Sequence, residues 1–467
     1  MQHAKRILLV NPPQNNRYPQ PPPGLAMIAA VLEGSEHQVG ILDLQTFDLS
    51  EKAISKVIAE EAPNIVGITA LTPTINSAIG VAKKVKQIDE DVTVVLGGPH
   101  GTILPEETLL FAPEIDIIVR GEGEQTMLEV AGASKERTAA LKGISGITYR
   151  ENNEIRSTSP RVPISNLDKL PFPAFHLLPM KRYRLHPPFG RKSPAIPIIT
   201  SRGCPYRCSF CSKSVFGKRY RSNTASYVIR EIQLLKEKFG VKEIKFYDDV
   251  FTIDRKRVIE ICRLIKEQGI DILWTCETRV NLVDEEMLGI MSDAGCYMIA
   301  YGVESGNQRV LENLKKDITL EQAVRAFKLT KRLGIETAAY FMLGSPGETS
   351  DTVWDTIEFA KTLDPDFVQF STATPFPGTE YYAGLVEEGK LPKEWDKYVY
   401  ADLRHLDNVI FETKLFDKSE MKKWSKKAYS SFYLRHSYLW KRLKRIRSVA
   451  ELKANIAGLC MFLETML

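Results

Sequence analysis

Three cysteines fall within eight residues, in the stretch Cys204-Pro-Tyr-Arg-Cys208-Ser-Phe-Cys211, directly after an apolar run. Thiolates are soft ligands that select zinc or iron–sulfur clusters. A structural zinc site takes four protein ligands and closes itself. No second Cys-x-x-Cys pair supplies them here, because Cys262, Cys276, Cys296 and Cys460 are scattered singly. Three thiolates on a four-iron cluster leave one iron open to another ligand. A zinc knuckle that borrows a distant histidine is the competing reading.

These residues need a scaffold, and the flanking pattern predicts one. Apolar runs at 195–200, 243–247, 273–278, 297–303, 337–343 and 367–372 read as strands. Helical periodicity follows at 226–239, 257–268, 285–293, 320–333 and 351–363. Six strand–helix units in succession predict a partial β/α barrel over residues 195–400, with chemistry at the carboxyl ends of its strands. The cysteine loop follows the first strand. Asp248-Asp249 follows the second, where two adjacent acids are costly to desolvate unless paired or functional. Arg279 follows the third and offers a cation to a carboxylate, or else forms a surface ion pair. Gly302-Val-Glu304-Ser305-Gly, Leu343-Gly344-Ser-Pro-Gly-Glu348 and Thr374-Pro-Phe-Pro-Gly-Thr-Glu follow the remaining three.

The first third alternates in the same way. Strands are expected at 6–10, 39–44, 65–71, 92–97 and 115–119, and helices at 24–33, 51–61 and 75–86. This predicts a doubly wound parallel sheet over residues 1–133 that binds a ligand at the carboxyl ends of its strands. A nucleotide is one candidate, but no G-x-G-x-x-G follows the first strand and no Walker lysine is present. Thr72-Pro73, Gly97-Gly98-Pro-His100-Gly and Arg120-Gly121-Glu122-Gly123-Glu lie at those ends. His100 is either a contact to the ligand or a solvated loop residue. His37, before the second strand, reads as a surface turn residue.

Residues 134–194 read as a linker that carries a hairpin with an Asn-Asn turn and is dense in proline, a residue that disfavours helix and sheet interiors. Its role is to strap one domain across the other. Residues 401–467 read as a helical cap. Ten lysines and arginines with no acid fall between Lys422 and Arg447, interleaved with aromatic residues. That composition suits either a cap with solvated lysines or an interfacial helix at a membrane surface. The net charge of +5 does not suggest nucleic acid. No apolar run approaches a membrane span and no signal peptide is legible, so a cytoplasmic protein is expected, peripheral at the membrane if the basic tail is the interfacial helix and not the cap. Seven cysteines, three of them clustered, fit metal ligation in a reducing compartment.

The spacing C-x3-C-x2-C, with Phe210 before the last cysteine, resembles that of radical S-adenosylmethionine (SAM) enzymes. The run Gly97-Gly-Pro-His-Gly followed by Val119-Arg-Gly-Glu-Gly-Glu resembles the cobalamin domain that precedes the radical SAM domain in one large class of them, the group of anaerobic magnesium-protoporphyrin ester cyclases and C-methyltransferases. The resemblance covers roughly residues 5 to 440. It implies a four-iron four-sulfur cluster on Cys204, Cys208 and Cys211, whose open iron chelates SAM. It implies SAM contacts from Phe210, Asp248, Asp249, Arg279, Glu304, Ser305 and Gly344, with the acids near the amino group and Glu304 near the ribose. Cobalamin contacts are implied for Thr72, Pro73, Gly97, Gly98, His100, Gly121, Glu122 and Gly123. The loop 11–24 lacks the histidine that many cobalamin proteins give to cobalt, so cobalamin bound without a protein histidine is expected.

The resemblance implies cleavage of SAM to a 5′-deoxyadenosyl radical, hydrogen abstraction from an unactivated carbon, and methylation by methylcobalamin. Radical oxidation or cyclisation without methyl transfer is the first alternative. A corrinoid or metal sensor without turnover is the second. A small-molecule substrate, with a hydrophobic one suggested by the basic-aromatic tail, and an external electron donor of flavodoxin or ferredoxin type are the expected partners. Nothing in the chain reads a particular substrate.

Overall fold

The computed structural model describes residues 4–14, 18–47, 51–133, 137–152, 154–183, 185, 189–391, 395, 398 and 417–445. They pack as two compact units. The first comprises Met1–Pro205, Ser212–Cys276 and Asp293–Gly295, and the second Tyr206–Cys211, Glu277–Ser292 and Cys296–Leu467.

In the first unit, β1 (Arg6–Asn11), β2 (Gln38–Asp43), β3 (Ile65–Thr69), β4 (Thr93–Gly97) and β5 (Ile117–Val119) form a parallel sheet in the order β2-β1-β3-β4-β5. The apolar runs of β3 and β4 are buried on both faces, as a parallel sheet sandwiched between helices requires. Helices α1 (Pro23–Glu33), α2 (Glu51–Glu61) and α3 (Ile75–Ile88) connect the first strands. The strand order reverses between β1 and β3, which opens a crevice at their carboxyl ends. Two helices that periodicity does not predict, α4 (Pro99–Ile103) and α5 (Pro105–Phe111), join β4 to β5, each opened by a proline in its first turn. Helix α6 (Glu124–Gly132) follows β5, and α7 (Arg137–Lys142) follows that.

The hairpin expected in the linker is part of this sheet. Its strands β6 (Ile147–Glu151) and β7 (Glu154–Ser157) add antiparallel to β5, with Ile147 opposite Val119. They cover what would otherwise be an open edge of a three-residue strand. Asn152 takes a left-handed conformation in the turn, and Asn153 lies outside the described residues. The proline-rich segment then runs back along the unit. Ala174 N donates to Ala26 O at 2.9 Å, while Tyr227 donates to Pro171 O at 3.0 Å. Pro187 and Pro188 lie outside the described residues.

All six strands of the predicted barrel are present. In the first unit β8 (Ala195–Ile198) pairs in parallel with β11 (Glu243–Phe246), which pairs with β12 (Leu273–Thr278). Between β8 and β11 lie a two-residue antiparallel ladder, β9 (Ser201–Arg202) with β10 (Arg221–Ser222), and helix α8 (Ala225–Phe239). Helix α9 (Arg255–Glu267) follows β11 and is capped by Asp254, whose Oδ1 accepts from Arg257 N at 3.1 Å. Phe246, Phe251 and Trp274, all fully buried, pack ring against ring behind these strands.

Helix α10 (Glu285–Asp293) precedes the strands of the second unit, β13 (Cys296–Glu304), β14 (Glu336–Leu343) and β15 (Phe367–Thr372), which pair in parallel. Helices α11 (Gln308–Asn313), α12 (Leu320–Arg332), α13 (Ser350–Leu363) and α14 (Glu380–Glu387) accompany them. Helices α15 (Lys418–Tyr433) and α16 (His436–Arg445) close the unit. Tyr429 and Tyr433 on α15 each place a hydroxyl against a backbone pair of β15, accepting from Phe370 N at 3.1 Å and Val368 N at 2.9 Å. Tyr438 donates to Asp366 O at 3.0 Å. The aromatic residues of the basic tail thus satisfy strand backbone, as a cap does. Residues 399–416 and 446–467, with Arg447 and Cys460, lie outside the described residues. Among the described residues no helix is long and apolar enough to cross a membrane.

Candidate functional site

The crevice of the first sheet has a rigid frame. Gly98 opens α4 at φ +93°, and a Cβ there would stand 2.8 Å from Ala70 O and 2.9 Å from Thr69 Oγ1, so only glycine fits. Gly123 is required for a different reason: a Cβ would meet Ile28 of α1 at 2.9 Å. At Gly24, Gly97 and Gly121 a Cβ would meet nothing nearer than 3.9 Å. A bulky flat ligand can therefore approach the backbone at these three glycines.

His100 is not a solvated loop residue. It is buried, with Nδ1 3.2 Å from Thr72 Oγ1, and burial pushes its pKa down to about 4, so the ring is neutral at pH 7. It holds Thr72 and the short turn at residues 72–74 in place. His37 is not a surface turn residue either. It is buried beside the amino-terminal end of β1, where its Nδ1 accepts from Lys5 N at 3.2 Å.

Glu122 departs most from its expected place at the ligand. Its Oε1 accepts from Arg202 Nη1 and Arg221 Nη1, each at 2.9 Å. Its Oε2 accepts from Arg221 Nη1 at 2.9 Å and Ile164 N at 2.7 Å. Glu124, the next acid, accepts from Arg202 Nη2 at 2.6 Å. All four charged side chains are at least nine-tenths buried. The carboxylate is committed to the β9–β10 ladder, which forms the root of the cysteine loop.

That root is held from a second side. Asp248 is buried, and its Oδ1 accepts from Thr200 N at 2.6 Å and Ser201 N at 3.0 Å. Its Oδ2 accepts from Thr200 Oγ1 at 2.6 Å, and Arg257 Nη1 lies 3.8 Å away. Asp248 therefore orients the chain entering the cysteines instead of offering itself to an amino group. Asp249 is the exposed acid of the pair. Protein mass around it raises its pKa, the charge of Asp248 adds to this, and Lys213 opposes it. Gly203, at φ +82°, passes so close to the chain that a Cβ would stand 2.4 Å from Arg219 O.

Cys204 belongs to the first unit, and Cys208 and Cys211 to the second. None of the three is in a disulfide; Cys204 and Cys208 are half-buried and Cys211 is exposed. Among the described residues no three His, Cys, Asp or Glu side chains stand at single-ion spacing. Thiolates that bind separate irons of a cluster need not meet around one point. The donor set, three soft thiol ligands, suits an iron–sulfur centre.

In the second unit Glu304 ends β13 with a left-handed backbone at φ +72° and a register shift against β14. For a non-glycine residue this is strained, and a bulge of this kind re-aims a side chain. Its Oε1 accepts from Lys316 Nζ at 2.6 Å, and Gly302 leaves room for it: a Cβ there would clash with that oxygen at 2.6 Å. Ser305 is fully buried, with its hydroxyl 3.1 Å from Thr356 Oγ1, so it braces the turn and is withdrawn from any ligand. Gly344 takes φ +81° beneath Met421. Glu348 is buried below that glycine loop. Its Oε2 accepts from Ser345 N at 2.8 Å, its Oε1 has no partner, and burial pushes its pKa up to about 7 against the opposing backbone hydrogen bonds. Phe210 is half-buried, its ring 5.8 Å from Lys316 Nζ.

Residues 198–360 match the radical SAM superfamily, and residues 15–131 match the B12 binding domain. An uncharacterized methyltransferase of Pyrococcus horikoshii is 42% identical, over 93% of this chain and 94% of its own. The anaerobic magnesium-protoporphyrin IX monomethyl ester cyclase of Rubrivivax gelatinosus is 33% identical, over 90% of this chain and 75% of its own. Among solved structures, the radical S-adenosylmethionine methyltransferase TsrM of Kitasatospora setae, with cobalamin and a four-iron four-sulfur cluster bound, aligns with a TM-score of 0.69 at 22% identity, over 82% of this chain and 75% of that one. At that identity the likeness shows the fold.

Proposed function

We infer that this chain, which belongs to the radical SAM superfamily and carries a B12 binding domain ahead of its radical SAM segment, methylates an unactivated carbon of a small molecule. Its cofactors are a four-iron four-sulfur cluster, SAM and cobalamin. When bound, the cluster supplies the electron that cleaves SAM and the corrinoid supplies the methyl group. The observation that carries the reading is the three-thiol loop after β8, joined through Arg202 and Arg221 to the Gly121–Gly123 turn of the B12 domain. The 42% identical relative named as a methyltransferase supports it.

The chain's own residues would act as follows. Cys204, Cys208 and Cys211 would hold the cluster. Asp248 and Arg257 would fix the loop that carries them. Asp249, the exposed residue of the pair, would accept from the amino group of SAM, and Glu304 would face its ribose. Gly344 would admit the adenine, and Phe210 would pack near it. The backbone at Gly97, Gly98, Gly121 and Gly123, with Thr72 and Pro73, would shape the corrin seat, and His100 would hold that seat from behind. Domain limits at 133, 194 and 400 serve this division, with the hairpin at residues 147–157 counted with the first sheet.

An external donor of flavodoxin or ferredoxin type would deliver the electron. Peripheral membrane contact finds support in exposed Leu439, Trp440 and Leu443 on α16, and pelleting with anionic vesicles tests it. The test of the function is anaerobic turnover with SAM and reductant. Methyl transfer predicts S-adenosylhomocysteine together with 5′-deoxyadenosine. Deoxyadenosine without S-adenosylhomocysteine would favour the oxidative or cyclising alternative, in keeping with the cyclase relative.

A further inference from the structure

Arg279 follows β12 and is 3% exposed. A clamp on the carboxylate of SAM would need two of its N–H groups in parallel. Its donors are engaged elsewhere. Nε donates to Asn281 Oδ1 at 3.2 Å, and Nη2 donates to Lys316 O and to Asp317 O, the latter at 3.2 Å. Nη1 donates to Cys208 Sγ at 3.7 Å, a sulfur-acceptor distance. A guanidinium has five N–H groups, so one remains. The plane is also held from one face, with its central carbon 3.7 Å from the centre of the Tyr206 ring.

The surrounding backbone is built for this contact. Lys315 and Asp317 both take left-handed conformations, at φ +51° and +52°. Such strain in non-glycine residues persists only where the surroundings enforce it. Here it accompanies a turn that presents two carbonyls, Lys316 O and Asp317 O, to the guanidinium. The same turn grips the cysteine loop, since Ser209 N donates to Leu314 O at 3.0 Å. One short segment thus fixes both the cation and the loop that carries Cys208.

We propose that Arg279 is the hydrogen-bond donor to the Cys208 thiolate, and that this contact raises the reduction potential of the cluster held there. A donor and a positive charge at a ligand sulfur stabilise the reduced, more negative cluster more than the oxidised one. The step concerned is addition of one electron to the cluster from a low-potential reductant, with no bond made or broken.

This inference rests on the cluster reading, and an iron count with an EPR signal checks that reading separately. EPR-monitored potentiometry of the reconstituted holoenzyme without SAM is the test, with dithionite or a titanium(III) chelate as reductant. Arg279→Gln should disfavour reduction at least tenfold, a negative shift of about 59 mV for a one-electron couple. Arg279→Lys, which keeps the charge, should recover part of it. An unchanged midpoint in R279Q, with only SAM affinity weakened, overturns the proposal and restores the carboxylate clamp. Should R279Q assemble no cluster, Tyr206→Leu decides, because it removes the ring that holds the guanidinium plane and leaves the guanidinium itself in place. A negative shift there supports the proposal, and none overturns it.

Discussion

Replacing Glu122 by glutamine should weaken the first unit far more than its position on a loop suggests. The carboxylate takes Arg202 and Arg221 at 2.9 Å and Ile164 N at 2.7 Å, with both arginines buried. Removing one member of a buried ion pair costs roughly 3–5 kcal/mol, because it strands the other charge. The stranding is incomplete here. Arg202 keeps Glu124 at 2.6 Å, and Arg221 keeps Ile164 O at 2.6 Å and Phe216 O at 3.0 Å. The lower end, about 3 kcal/mol, is therefore expected. At about 2–4 °C per kcal/mol for a domain of this size, the melting point should fall by roughly 6–12 °C. Thermal unfolding by circular dichroism measures it, and Arg156→Ala is the control. Arg156 is itself half-exposed and pairs with Glu154 in the open and with Glu151 at 3.5 Å, and Glu151 keeps Lys142 at 2.9 Å, so its loss should cost less than about 1 kcal/mol. Equal melting points for E122Q and wild type would refute the buried-network reasoning.

The remaining predictions concern pH and backbone. Glu348 has a folded pKa of about 7 against an ordinary 4.5, so the native state holds its proton more tightly than the unfolded chain. Its contribution to stability is full below pH about 4.5 and is lost as pH rises to 7, at about 1.4 kcal/mol per unit. Glu348→Gln should abolish that slope in urea melts between pH 5 and 8, and a constant gap between variant and wild type would count against it. Gly203→Ala would place a Cβ 2.4 Å from Arg219 O, whereas Gly217→Ala carries a similar left-handed strain, at φ +73° against +82°, but meets nothing within 4 Å. G203A should assemble little cluster while G217A assembles nearly as much as wild type. Equal iron counts would show that the close approach does not position the loop.

The strands and the cysteine loop were legible because they are local: apolar runs of five to seven residues, and three thiols with fixed spacing. The two-residue ladder of β9 and β10 was not, since neither segment is long enough to show a period. Helices α4 and α5 are five and seven residues long, too short for an apolar stripe, although the prolines at 99 and 105 mark their starts. Polar and charged residues misled most. Glu122, Asp248 and Ser305 sit where ligand contacts were expected, yet each faces a protein partner distant in sequence, such as Arg202, Thr200 and Thr356. No local pattern announces an ion pair spanning 80 or 99 residues. The one available hint for Arg202 and Gly203 was their adjacency to Cys204. Arg221, Arg257 and Lys316 carried no such hint.

The central claim is that the loop from Cys204 to Cys211 holds a cluster that cleaves SAM. Reconstituting the Cys208→Ala variant anaerobically and measuring 5′-deoxyadenosine released from SAM addresses it most directly. Wild type should release deoxyadenosine under reduction, and the variant should release none and hold less iron. A variant that keeps both its iron and its cleavage would contradict the account.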